Sequence, residues 1–246
     1  GDRRDFETLI QALFKKNQPT PIPAAQGAAM VAGYNNWDRV RQLKQDFLQT
    51  SQNESWGVFF REKVVPQKSL YQDRFILLSR GGYSDVTATA IQINESEWLD
   101  LSRTIRLHHE CAHYFTRRVL GSMRNHFHDE LIADYCGIVA ANGRFRSDWF
   151  LLFMGLEAFP KIRKGGRSEN YLGNPPLSNA AAAIQREILC AAALAVERFH
   201  DRHSQILNGI AGQAKAILTL SRTSLVQMAG PQAADHLDAA LKSVKG

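Results

Sequence analysis

The segment His109-Glu110-Cys111-Ala112-His113 holds the residues of this 246-residue chain best suited to chemistry. On a helix, positions i and i+4 share a face, so both imidazoles project to one side. Glu110, one step from His109, can lean its carboxylate over a metal held by that pair without ligating it. Such a set suits zinc that activates a water molecule, with Glu110 as the base.

A second helix supplies acids. The stretch His128-Asp129-Glu130-Leu-Ile-Ala-Asp134 places Glu130 and Asp134 at i and i+4. A short turn, Gly121 to Asn125, lets the two helices pack antiparallel and aims Glu130 at the histidine pair. Two His and one Glu leave a fourth tetrahedral position for water, as a catalytic zinc site requires. Asp134, one turn further, can accept the free ring N–H of a ligating histidine and fix its tautomer. The plainer alternative makes Glu130 and Asp134 solvated acids and Asp129 a helix cap. Leu131, Ile132 and Ala133 beside them argue for a buried helix, where two unpaired carboxylates need a metal or a cation.

His109-Glu110-x-x-His113 followed by Glu130-x-x-x-Asp134 resembles the zinc signature of gluzincin metallopeptidases, the thermolysin-like group. The likeness covers about thirty residues, His108 to Tyr135. It implies a zinc-dependent peptidase of zincin-like fold, with His109, His113 and Glu130 as Zn2+ ligands. Glu110 would be the general base and Asp134 the partner of a ligating histidine. The group also places a β-strand before the metal helix and binds extended substrate along its edge; Thr87–Ile93 is the candidate here. The tyrosine that the group carries between its two metal-binding elements is missing. His126 and His128 are the candidate transition-state donors in that interval, with Tyr135, Tyr171, His200 and His203 as further candidates. A metzincin would need a Gly and a third His soon after His113, but Thr116 and Val119 occupy those places. A SprT-like site, with His126 or His128 in place of Glu130, would leave the Glu130/Asp134 pair without a role.

The elements that must position these residues follow from periodicity. The metal helix reads from about Asp100 or Ser102, both suited to capping, to Leu120, with Gly121-Ser122 as a stop. The acidic helix reads from about Phe127 to Ala141 and ends at Asn142-Gly143. Upstream, an amphipathic helix fills the first fifteen residues, with Phe6, Leu9, Ile10, Leu13 and Phe14 on one side, and Pro19-Thr-Pro-Ile-Pro23 ends it. A further helix covers Trp37 to Leu48. Four short β-branched or aromatic runs then read as strands: 56–60, 64–66, 74–79 and 86–93. Trp149–Phe159 is an apolar helical run. Lys161–Arg167 and Asn174-Pro-Pro176 form the clearest loop, and Leu177 to Val244 is helical with a break at Gly230-Pro231. The predicted class is α+β, a small, mainly antiparallel sheet on the metal helix followed by a helical part. The expected segments are 1–52 (helical), 53–145 (catalytic core) and 146–246 (helical).

Composition bounds the rest. At 44% hydrophobic and 22% charged, the chain is neither collagen-like, coiled-coil nor largely disordered. Cys111, Cys136 and Cys190 are too few and too odd in number for a disulfide framework, which fits a reducing compartment. No apolar run reaches the roughly 18 residues of a membrane span. No secretory signal follows Gly1-Asp-Arg-Arg-Asp5, so a cytoplasmic protein without membrane contact is expected. The net charge is +6. Arg103, Arg106, Arg117, Arg118 and Arg124 stand against Glu110 alone between Leu101 and His128. They form either a solvated arginine face or a cleft rim that attracts acidic peptide or nucleic-acid-bound substrate. Lys161–Arg167 is a second basic patch, a loop that could touch phosphate. The expected partner is a peptide or protein substrate. The alternatives are hydrolysis of a non-peptide amide, a binding module without turnover, or a protease on DNA-associated protein.

Overall fold

The computed structural model describes residues 2–50, 54–121 and 126–244. Positions 122–125 of the turn expected at Gly121 to Asn125, Arg124 among them, lie outside the described residues, as do positions 51–53. Among the described residues the fold is mixed and mostly helical with one two-stranded antiparallel sheet, in keeping with the α+β expectation.

The centre of the fold is a pair of helices. Helix α5 (Glu95–Val119) begins before the expected Asp100 or Ser102, because Asn94 caps it. The Asn94 side chain accepts from Glu97 N at 2.8 Å and donates to the Glu97 carboxylate at 3.0 Å. Glu95 and Glu97 in the first turn and Arg117 and Arg118 in the last suit the helix dipole. Its buried positions, Trp98, Ser102, Ile105, Arg106, His109, Ala112 and Thr116, recur at three to four residues and form one stripe. Helix α6 (His126–Asn142) is buried along nearly its whole circumference, from Phe127 to Val139 apart from Asp129 and Glu130.

Gly137 lets the two helices approach. A Cβ there would stand 2.7 Å from the Ile105 carbonyl oxygen and 3.2 Å from its Cα, both backbone atoms that cannot rotate away. Gly137→Ala is expected to destabilise the fold by about 2 kcal/mol, roughly 6 °C in Tm, by pushing α6 off α5. A thermal melt followed by circular dichroism checks this, and an unchanged Tm would refute it.

Two compact units divide the chain, residues 1–28 with 78–246 and residues 29–77. Chain on both sides of the second unit thus belongs to the first. In the first unit, α1 (Arg3–Phe14) buries Phe6 and Ile10, while Leu9 and Phe14 of its expected apolar side stay exposed. The second unit holds most of β1 (Ala28–Asn35) and β2 (Gln72–Leu78), with α2 (Trp37–Thr50) and α3 (Trp56–Phe59) between them. The strands pair antiparallel, bounded by Ser79 N to Gly27 O and Asn36 N to Tyr71 O, both 2.8 Å.

Three of the four expected strands are corrected. Residues 56–64 are α3 continued by a π-helical turn (Phe60–Val64), in which Phe47, Trp56, Phe59 and Phe60 cluster. The run 64–66 joins no strand. The candidate substrate edge, Thr87–Ile93, holds the short helix α4 (Ala88–Ile91), capped by the Thr87 hydroxyl on Ala90 N and closed by Gln92 at φ 62°. Only 74–79 falls largely on a strand, and its partner β1 was not expected. Short apolar runs carry no period that separates strand from helix, so capping decides.

After α6 come α7 (Ser147–Met154), α8 (Asn179–Leu207), α9 (Gly209–Ser221), α10 (Leu225–Ala229) and α11 (Ala233–Ser243). The break at Gly230-Pro231 is present, with others at Asn208 and 222–224. Helix α8 has 29 residues and holds an 18-residue window of mean hydropathy 1.3, enough by length and composition alone to cross a membrane. The core helix of a folded domain can be as long and as apolar, and Leu189, Ala192, Ala193, Val196 and Phe199 of α8 lie in this core.

Candidate metal centre

All of the site belongs to the first unit. His109 and His113 project from one face of α5, with their Nε2 atoms 3.0 Å apart. Glu130 of α6 faces them, Oε2 3.7 Å from His109 Nε2 and Oε1 3.5 Å from His113 Nε2. One ligand atom from each of the three lies within 4.8 Å of the others. The far side of His109 is fixed by Asp134, whose Oδ1 lies 2.7 Å from Nδ1. A carboxylate there holds the proton on Nδ1 and leaves the Nε2 lone pair facing His113 and Glu130. Converging imidazole and carboxylate donors with a fixed tautomer fit a zinc-type cation.

Two further residues complete the arrangement. Tyr83 donates its hydroxyl to Asp134 Oδ1 at 2.6 Å, and the hydroxyl oxygen is also 2.9 Å from His109 Nδ1. Arg167, only 8% exposed, spans both acids. Its Nη2 donates to Asp134 Oδ2 at 2.6 Å and to Glu130 Oε2 at 3.0 Å; Nη1 donates to the Tyr83 hydroxyl at 2.6 Å.

Loop geometry delivers these two. Tyr83 starts a 3₁₀ turn whose backbone N–H binds Ser102 Oγ at 2.9 Å. Arg106, buried on α5 one turn before His109, donates to the carbonyls of Ser79, Gly81 and Gly82, which anchors the loop leading to Tyr83. Arg167 opens the 3₁₀ turn Arg167–Tyr171. It reaches the interior because Gly155 and Gly166 meet back to back: a Cβ on Gly166 would stand 2.6 Å from Gly155 Cα.

The electrostatics follow from these contacts. Burial alone would raise the Glu130 and Asp134 carboxyls, but Arg167 and the histidines hold Glu130 well below the usual carboxylate range, and Arg167 and His109 lower Asp134. Burial opposes a charge on His113, yet the adjacent Glu130 outweighs it and raises the imidazole. Burial, with Asp134 adding to it, keeps the Tyr83 hydroxyl protonated. Arg106 is brought down to about 10, chiefly by burial.

The cluster opens on a cavity of about 370 Å³. Glu110, Asn170, Tyr171 and the segment 23–28 share its walls with the cluster. Glu110 therefore stands at the cavity beside His109, His113 and Glu130, and Asp134 behind them. His126 lies exposed at the start of α6, stacked on Tyr171 with ring centroids 6.0 Å apart. His128 turns away into the core, its Nε2 2.8 Å from the Leu220 carbonyl oxygen, because the face of α6 that carries it packs towards α9. Tyr135 and His200 bond each other at 2.7 Å, and His203 pairs with Asp238 at 2.9 Å, so none of the three is at the cluster. Tyr171 is at the cavity, and burial, with Glu130 adding to it, raises its hydroxyl. His108, Cys111 and Cys136 line a separate crevice on another side of α5.

Arg167 and Tyr83 were not anticipated. The one sequence signal was indirect: two acids on a buried helix require a cation, and Gly165-Gly166 precedes one.

A family model described as "Family of unknown function (DUF7005)" matches residues 1–232, nearly the whole chain, so the chain belongs to that family. No curated protein and no solved structure matches it.

Proposed function

We propose that this member of a family of unknown function is a zinc-dependent hydrolase, most directly a peptidase, on a zincin-like frame. The observation that carries the reading is the convergence of His109, His113 and Glu130, with Asp134 fixing the His109 tautomer and Glu110 at the adjoining cavity. When bound, zinc would lower the pKa of a coordinated water towards about 7 and polarise a carbonyl. Glu110 takes the proton from the attacking water and passes it to the leaving amine. Arg106 and Arg167 of the cavity wall are engaged by carbonyls and acids of the protein itself. The wall thus suits a neutral stretch of peptide better than an anionic one. The test is bound zinc by elemental analysis together with cleavage of a peptide library. A chain that takes up no zinc, or that holds zinc and cleaves nothing, refutes the peptidase.

Tyr171 supplies the donor that the interval between the metal-binding elements lacks. Burial, with Glu130 beside it, pushes its hydroxyl well above the usual tyrosine range, so it remains a hydrogen-bond donor at working pH. Its position at the cavity suits the oxygen that gains charge as water attacks. Tyr171→Phe is expected to lower kcat by about a hundredfold with little change in KM or zinc content. Steady-state kinetics decide, and an unchanged kcat removes Tyr171 from this role.

One observation favours a second reading. Arg167 already neutralises the two acids, which a binding module without turnover would also need. Retention of Glu110 at the cavity weighs towards the enzyme.

A further inference from the structure

Arg167 does something that neither the ligand set nor the proton transfer requires. Its Nη2 donates to Glu130 Oε2 at 3.0 Å, the oxygen 3.7 Å from His109 Nε2, while Oε1 is the one 3.5 Å from His113 Nε2. The same Nη2 holds Asp134 Oδ2, and Nη1 holds the hydroxyl that in turn holds Asp134 Oδ1. Asp134 is wholly buried and the Glu130 side chain is 13% exposed, so two negative charges here would be costly alone. A planar fork of donors can bridge two carboxylates, which a single ammonium does poorly.

We propose that Arg167 is the site's permanent counter-cation, a positioning residue that fixes Glu130 through Oε2 and makes the folded state independent of metal. This rests on the zinc reading for the purpose of the orientation, but not for the stability. In a site whose acids were neutralised by metal alone, folding and metal uptake would be one event. Here the acids and the His109 tautomer are set in place beforehand, and metal enters a formed site.

The experiment compares thermal melts of the full chain as wild type, Arg167→Met and Arg167→Lys, each after chelation and again with zinc chloride. Metal-free wild type is expected to be folded, with a zinc-induced rise of only a few degrees. Metal-free Arg167→Met is expected to melt about 10 °C lower, and zinc to raise it more than it raises wild type. Arg167→Lys falls between them. The double variant Arg167→Met/Asp134→Asn separates charge from packing and is expected to melt above Arg167→Met, because one unpaired charge is gone. This comparison stands even where Arg167→Met scarcely folds. The proposal is overturned if metal-free wild type is unfolded, if metal-free Arg167→Met melts within about 2 °C of wild type, or if the double variant is no better than the single. Zinc that shifts none of the proteins instead removes the metal reading and leaves the charge comparison intact.

Discussion

Replacing Glu110 by Gln is expected to leave zinc content unchanged while lowering kcat by about 10²- to 10⁴-fold. The substitution keeps size and helix propensity and removes only the ability to accept a proton. Glu110 lies on the exposed side of its helix's buried stripe, at the cavity, and anchors none of the network around Asp134. Its structural cost should therefore stay within about 0.5 kcal/mol. His109 and His113 keep their places, since Asp134 and Glu130 rather than Glu110 hold them. Elemental analysis, a melt and turnover of one cleaved peptide suffice. A Gln variant as active as wild type would refute the assigned base, and a variant that loses zinc would make Glu110 a ligand.

Asp134→Asn carries the second large effect, here on both stability and metal. The change removes a fully buried charge that receives Arg167, Tyr83 and His109. If its amide nitrogen replaces Oδ2, donor meets donor at Arg167 Nη2; if it replaces Oδ1, it confronts the His109 ring N–H and the Tyr83 hydroxyl. Breaking a buried pair costs about 3–5 kcal/mol, or roughly 10 °C in Tm for a chain of this size. Loss of the carboxylate behind a ligating histidine should weaken zinc binding about 10- to 100-fold. The pH dependence has a definite sign. Asp134 is held below its ordinary value, so its stabilisation is complete above the unfolded pKa of about 4 and is lost as pH falls through the lower folded value. The gap in Tm between wild type and Asp134→Asn should thus be wide at neutral pH and narrow in acid. Equal gaps at pH 7 and in strong acid would refute the assignment.

What could be read from the chain alone was local. The i, i+4 spacing of His109 and His113, and of Glu130 and Asp134, follows from helical period, and the helices that carry them lie close to where periodicity predicts. The helical character of residues 177–244 was equally legible, because apolar periodicity persists over many turns there. The runs 56–60 and 86–93 were too short for a period to speak, and a threonine cap and an aromatic cluster made them helices. Strand β1, with Val31 as its only β-branched residue, announced itself even less.

The cluster's charge balance was beyond local reading. Arg167 reaches Asp134 across 33 positions and Tyr83 across 84, so no spacing rule relates them. In sequence Arg167 is the last residue of a basic loop, read only as one that could touch phosphate. Its burial depends on Gly155 and Gly166 meeting at their Cα atoms and on Gly137 admitting α6 against α5. By itself, then, the sequence determined which side chains could meet a metal, since helical geometry sets their faces. Only the tertiary structure decided which cation neutralises the buried acids and which histidine faces away, because both depend on how distant segments pack.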